Sequence, residues 1–198
     1  MEIVLATGNS HKIREIREII SSPRITLRSM LDYKRIPKVI ENGATFDDNA
    51  MKKARAFARF FHLPAIADDS GLEVKALNGR PGVRSARFAG QGSTKDKLCK
   101  KVLRLLSKVP AGGRGARFVC SMALALPGGG GKVVRGFVHG KIGYAMKGQN
   151  GFGYDPIFIP RGYERTFAQV SPGLKNRLSH RARAIKKIKS VLKRLVLV

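Results

Sequence analysis

Leu63-Pro64-Ala65-Ile66-Ala67-Asp68-Asp69-Ser70-Gly71 is an apolar run that stops on two adjacent carboxylates, a hydroxyl and a glycine. A short apolar run bounded by turn residues reads as a buried strand. Acids delivered at the end of a rigid strand, beside a loop open to substrate, are well placed for chemistry. Side chains alternate along a strand, so only one of Asp68 and Asp69 points to a given face. One is expected to be the working acid and the other to brace it or cap the turn. The plainer reading is turn chemistry alone, because Asp, Ser and Gly each favour turns. On either reading the strand ends at Asp69, and Leu72-Glu73-Val74 resumes it briefly.

Toward the N-terminus, residues 2 to 6 read as a short buried strand followed by Thr7-Gly8-Asn9-Ser10-His11-Lys12. A helix with Ile13, Ile16, Ile19 and Ile20 at helical spacing comes next. Strand, glycine loop and helix N-terminus attract an anion through free N–H groups and the helix dipole, and Lys12 adds a full charge. The segment lacks the second glycine and Gly-Lys-Ser/Thr ending of a Walker loop, and Ser10 or Asn9 could simply cap the helix. A polar, proline-containing connection then leads to Glu41, and Thr45 with Asp48 approximates a capping box that starts a helix running to about Phe61. Its apolar face is Ala50, Ala54, Phe57, Ala58 and Phe61. Lys53 flanks that face, where it either snorkels to water or reaches into a site, and the pattern alone favours snorkelling. Glu41 reads equally as a metal ligand or a loop acid.

Toward the C-terminus, Gly79-Arg80-Pro81-Gly82-Val83 is a turn-rich loop, and Leu98, Val102, Leu105 and Leu106 mark a helix capped by Ser93, Thr94 or Asp96. Phe118 to Leu126 reads as a buried strand, and glycines 128 to 131 suggest a hairpin to residues 132–138, which points to a mixed sheet. In Gly151-Phe152-Gly153-Tyr154-Asp155-Pro156-Ile157-Phe158 the glycines free Phe152 to stack on a base, although rings in such a turn usually fill core. Lys175-Asn176-Arg177-Leu178-Ser179-His180-Arg181 opens a C-terminal helix with the stripe Ile185, Ile188, Val191, Leu192 and Leu195. Ser179 as its N-cap puts His180 and Arg181 in the first turn, where cations oppose the dipole unless an anion or carbonyl lies there. A basic helix that merely docks, or touches a membrane surface, is the rival reading.

The chain has 198 residues, 43% of them hydrophobic, enough for one α/β domain or two lobes sharing a sheet. It shows no repeat and no linker. The first residues carry no basic leader and no apolar run approaches the roughly 18 residues of a membrane span, so a cytoplasmic protein is expected. Cys99 and Cys120 lack metal-ligand spacing and read as reduced thiols. The net charge is +26. Residues 97–198 hold 22 of the 39 basic residues and only two acids, Asp155 and Glu164. Such a field attracts polyanions, including nucleic acid, although the cations are scattered as on an ordinary solvated surface.

Six blocks, in order and nearly along the whole chain, together resemble the inosine triphosphate pyrophosphatases, the non-canonical purine nucleoside triphosphate pyrophosphatases. They are Thr7-Gly8-Asn9 with Lys12; Thr45-Phe46, Asn49-Ala50 and Lys53-Ala54-Arg55; Ala67 to Leu72; Pro81-Gly82-Val83 with Ser85-Ala86-Arg87; Gly151 to Phe158; and Ser179-His180-Arg181. The resemblance implies an α/β fold of the ITPase/Maf-like kind, with a long mixed central sheet flanked by helices. It implies a single two-lobed domain over residues 1–198 with the active-site cleft between the lobes. The implied reaction is Mg²⁺-dependent hydrolysis of ITP, dITP and XTP to the monophosphate and pyrophosphate, in a homodimer. By the same resemblance Asp69 is general base and metal ligand, Glu41 shares the metal, and Lys53 serves catalysis. Thr7, Gly8, Asn9, Ser10, His11, Lys12, Lys53 and Ser70 hold the triphosphate. Phe152, within Gly151 to Phe158 (Gly153, Tyr154 and Asp155 included), stacks on the purine, and Lys175, His180 and Arg181 donate to its 6-oxo group. Acids usual in that family are missing from Ala111 to Gly115, Pro127 to Gly131 and Ser171 to Leu174, and Arg84 stands where an aromatic is usual. The alternative is a basic nucleic-acid-binding protein on the same fold with weak or no catalysis.

Overall fold

A computed structural model describes residues 1–196. Six strands form one sheet in the order β2-β1-β3-β4-β5-β6: β1 (Glu2–Leu5), β2 (Thr26–Ser29), β3 (Ala65–Val74), β4 (Gly115–Ala125), β5 (Gly131–Ile142) and β6 (Phe158–Pro160). β1 runs parallel to both β2 and β3, whereas β5 and β6 are antiparallel, so the sheet is mixed as expected. The helices are α1 (Ser10–Ile19), α2 (Phe46–Phe61), α3 (Lys95–Leu105), α4 (Pro172–Leu178) and α5 (His180–Val196).

The chain divides into two compact units, Met1–Asp69 with Cys120–Gly136 and Arg181–Val198, and Ser70–Val119 with Phe137–His180; the divisions fall inside β3, β4 and β5. In the first unit the period of two along each strand sorts residues to two faces. Val4, Ala6, Ala65, Ala67, Ala123 and Ala125 pack with Ala50, Ala54, Phe57 and Ala58 of α2. These small side chains let the helix lie close on the sheet. Ile3, Leu5, Ile66, Cys120, Met122 and Leu124 take the other face, with Ile13 and Ile16 of α1 and Ile185, Ile188 and Leu192 of α5. The core of the second unit is built on Leu72, Val74, Leu98, Val102, Phe118, Phe158 and Phe167.

Several expectations change. β3 does not stop at Asp69, because Asp-Asp-Ser-Gly lies within one ten-residue strand. The turn preference of those residues yields to pairing in a central strand and to burial of Leu72 and Val74. β2, read as part of the polar connection, is a four-residue edge strand in which only Ser29 is buried, so it has no apolar alternation to detect. The hairpin strands are longer than read, Gly115–Ala125 and Gly131–Ile142. The C-terminal helix starts at His180, right after Ser179, with His180 and Arg181 in its first turn as expected, but residues 175–178 belong to a helix before it. Ser171 caps a separate helix with Pro172 in its first turn, and extended backbone at Ser179 (φ −63, ψ 154) divides α4 from α5. On α5 Ile185, Ile188 and Leu192 are buried, but Leu195 is 38% exposed and leaves the stripe. α2 matches its capping box and its end, with Thr45 Oγ1 and Asp48 each accepting from the other's backbone N–H. Cys99 and Cys120 are buried thiols that form no disulfide, and burial, with Asp96 and Asp155 nearby, pushes the Cys99 thiol up to about 12. Among the described residues no helix is long and apolar enough to cross a membrane.

Candidate functional site

The face alternation of β3 decides where each acid goes. Ala65, Ala67 and Asp69 share the α2 face, and Ile66 and Asp68 share the α1/α5 face. Asp68 therefore meets the cations of α1 and α5. Its Oδ2 lies 2.8 Å from Lys12 Nζ and 3.4 Å from Arg181 Nε. Arg181 Nη1 donates to Glu15 Oε2 at 2.6 Å, and Arg181 as a residue is 1% exposed. Burial pushes the Asp68 carboxyl up, but Lys12, Arg181 and Lys53 outweigh it and hold the group well below the ordinary carboxylate range. Burial likewise disfavours the charged Arg181, and Asp68 and Glu15 reverse the balance. The result is a four-member ionic network with both signs enclosed.

Asp69 has the opposite surroundings. Its Oδ2 accepts 2.9 Å from Asn49 Nδ2 of α2. Burial raises its pKa and the nearby Glu41 carboxylate raises it further, against the lowering effects of Asn49, Lys53 and Lys12. Lys53 Nζ sits 2.5 Å from Glu41 Oε1 with its side chain 15% exposed, so it holds an acid and does not snorkel to water. Lys12 and Lys53, the two lysines expected at the phosphates, are thus both paired with carboxylates.

In the loop before α1, Asn9 is the cap, its Oδ1 accepting from the His11 and Lys12 N–H groups, while Thr7 Oγ1 accepts from Asn9 N–H. Ser10 occupies the first helical position, which resolves the choice left open by the sequence. Gly8 precedes the cap, and Ser10 and His11 begin α1.

The second unit carries Ser70 in β3, the Phe152 turn, α4 and His180. Asp155 is 3% exposed, and its Oδ2 accepts from Phe152 N–H and from Lys175 Nζ, both at 2.7 Å. A Cβ at Gly151 would lie 2.1 Å from that oxygen, and Gly151 has φ +73, so the turn requires glycine there. Lys175 Nζ lies 4.4 Å from the centroid of the Phe152 ring, a cation–π contact. Tyr154 hydroxyl donates to Ser85 O at 2.8 Å beside Gly153, and His180 stacks on Phe118 with centroids 4.8 Å apart. The Gly-aromatic block thus both fills core, through Tyr154, and holds a ring beside a lysine. Glu15, which the sequence reading passed over, and Asn49, which it quoted in a motif block but gave no role, hold its chosen residues in place.

Among the described residues, no three or more His, Cys, Asp or Glu side chains gather into a metal cage. The donor set still suits a hard dication. Glu41 and Asp69 repel each other, a divalent ion relieves that repulsion, and Mg²⁺ is ordinarily held by one or two carboxylates plus substrate phosphates and water.

The sequence profile of the Ham1 family matches residues 3–191. The chain is 47% identical over 188 residues to a dITP/XTP pyrophosphatase of Desulfotalea psychrophila, covering 95% of this chain and 83% of that protein. It is 45% identical over 187 residues to one of Geobacillus kaustophilus, covering 94% and 92%. Its fold matches a solved HAM1 protein from Coxiella burnetii with TM-score 0.91, at 39% identity over 98% and 99% of the two chains.

Proposed function

The chain belongs to the Ham1 family, and on that premise we propose that it hydrolyses the non-canonical purine nucleoside triphosphates dITP, XTP and ITP to the monophosphate and pyrophosphate. The observation that carries the chemistry is the contrast between the neighbours Asp68, clamped by cations, and Asp69, buried beside another carboxylate. Groups whose surroundings push their proton affinities apart take different roles. Asp69 is the general base. It takes a proton from the water that attacks the α-phosphorus, and the bond to the α–β bridging oxygen breaks as pyrophosphate leaves. Asp68 is the brace that fixes Lys12 and Arg181.

Glu41 and Asp69 hold Mg²⁺, which supplies charge neutralisation on the phosphate oxygens. Thr7 to Lys12, Lys53 and Ser70 position the triphosphate, and positioning with electrostatics provides most of the rate in phosphoryl transfer. At the base end Phe152 stacks on the purine, with Gly153, Tyr154 and Asp155 shaping its turn. Lys175, His180 and Arg181 donate toward the 6-oxo group. Asp155 keeps Lys175 over the Phe152 ring, so the stacking surface and one donor are preset.

Adenine presents an amino donor at that position and leaves the protein's donors unpaired, at about 1–3 kcal/mol each. Pyrophosphate release with Mg²⁺ is therefore expected to show kcat/KM for ITP and XTP at least about 10²-fold above ATP. Comparable rates for all purines would overturn the base reading. No turnover at all, with salt-sensitive RNA or DNA binding, would favour the nucleic-acid-binding alternative that the +26 charge suggests.

Residues 1–198 act as one enzyme, in the cytoplasm, as a homodimer. Self-repulsion at this charge opposes association at low ionic strength. Sedimentation is expected to find monomer at about 0.05 M salt and dimer at about 0.5 M, where the Debye length is short. A dimer equally tight at both would show that the charge does not touch the interface.

A further inference from the structure

Asn49 touches both halves of the carboxylate pair's support. It lies in the first turn of α2 and is 1% exposed. Its Oδ1 accepts from Gly43 N–H at 2.7 Å while its Nδ2 donates to Asp69 Oδ2 at 2.9 Å. The amide has one workable orientation, because the backbone N–H can only donate and the carboxylate can only accept. A single buried side chain therefore ties the loop two residues beyond Glu41 to the strand residue Asp69. The approach is close. A Cβ at Gly43 would stand 2.8 Å from Asn49 Oδ1 and 2.7 Å from Asp48 Cβ, so the loop can reach the amide only with glycine there. The Thr45–Asp48 capping box anchors the same turn of α2 from outside.

We propose that Asn49 is a positioning residue that sets the spacing of the Glu41 loop and Asp69 and thereby the affinity for the divalent cation. The inference rests on the reading of Glu41 and Asp69 as the metal ligands. Glu41 and Asp69 are like charges that repel; Lys53 is bonded to Glu41 and attracts Asp69 electrostatically, without a directional bond to the strand. The Asn49 amide adds a hydrogen bond on the Asp69 side and one on the loop together. Partners of this kind, behind the ligands themselves, typically change metal affinity by about 10–100-fold.

The test measures Mn²⁺ binding without nucleotide, by electron paramagnetic resonance or calorimetry, beside the Mg²⁺ concentration for half-maximal pyrophosphate release. Asn49→Ala is expected to weaken Mn²⁺ binding and raise the Mg²⁺ midpoint by about 10–100-fold, with kcat at saturating Mg²⁺ falling much less. Gly43→Ala disturbs the same tether from the other end and is expected to act in the same direction, which keeps the proposal testable if Asn49→Ala does not fold. Unchanged Mn²⁺ affinity in a folded variant, with only a lower melting temperature, would overturn it. Glu41→Gln separates the two readings. If it leaves Mn²⁺ binding intact, the metal assignment has failed. If it weakens binding and the Asn49 and Gly43 variants do not, only the tether has failed.

Discussion

Asp69→Asn is expected to lower kcat for ITP hydrolysis by at least about 10³-fold, roughly 4 kcal/mol, while the melting temperature stays at or above that of the wild type. The first half follows from removing both a general base and a metal ligand with one isosteric change. The second half follows from the surroundings. Asp69 carries a carboxylate that burial and Glu41 disfavour, and the neutral amide removes that burden while still offering Asn49 an acceptor. Asp68→Asn is expected to show the reverse pattern in stability. Lys12 and Arg181 lose their shared counter-charge and the protein melts lower. Activity and melting temperature measured on the two variants therefore test the division of labour between adjacent residues. Equal losses of stability in both would show that the two acids are interchangeable braces.

The alternation that separates these two acids was legible in the sequence, because a strand has a fixed period and Ala65-Ile66-Ala67 established its phase. The α2 helix was legible for a similar reason, since Thr45, Asp48 and the Ala50, Ala54, Phe57, Ala58 spacing are local signals. What escaped was decided by distant partners. Asp-Ser-Gly is a turn signal in isolation, and its place within the ten-residue β3, beside β4 in the sheet, keeps it extended. β2 has no apolar pattern of its own because it is short and lies at the sheet edge. Lys53 beside an apolar stripe says nothing of Glu41 twelve residues earlier. Glu15 and Arg181 lie 166 positions apart, and neither sequence neighbourhood hints at the other. The site residues were recoverable as motif blocks, and so was Asn49, though not its role, whereas Glu15 was not.

That hidden pair carries the second large effect. Arg181→Met keeps the bulk of the side chain and removes the charge, leaving Glu15 and Asp68 enclosed with one cation fewer. Removing one partner from a buried ionic network costs about 3–5 kcal/mol, which in a chain of this size lowers the melting temperature on the order of 10 °C. Glu15→Gln retains the volume and a weaker acceptor, so about 1–3 kcal/mol is expected. Removing Arg28 from its pair with Glu2, where both side chains are well exposed, is expected to change almost nothing. The pH dependence has a definite sign. Asp68 ionises near 3.8 when unfolded and well below that when folded, so its contribution is complete above the unfolded value and is lost as pH falls through the folded one. The gap in melting temperature between wild type and Asp68→Asn should accordingly be widest near neutrality and close in acid. Glu15 is outside the residues assigned to substrate, which makes Glu15→Gln the discriminating variant. If Arg181 served only to donate to the base, Glu15→Gln would melt with the wild type, and Arg181→Met would lose activity without losing stability. A lower melting temperature in both places the guanidinium first in the fold of the site, and the network then explains why a fully buried arginine tolerates burial at all.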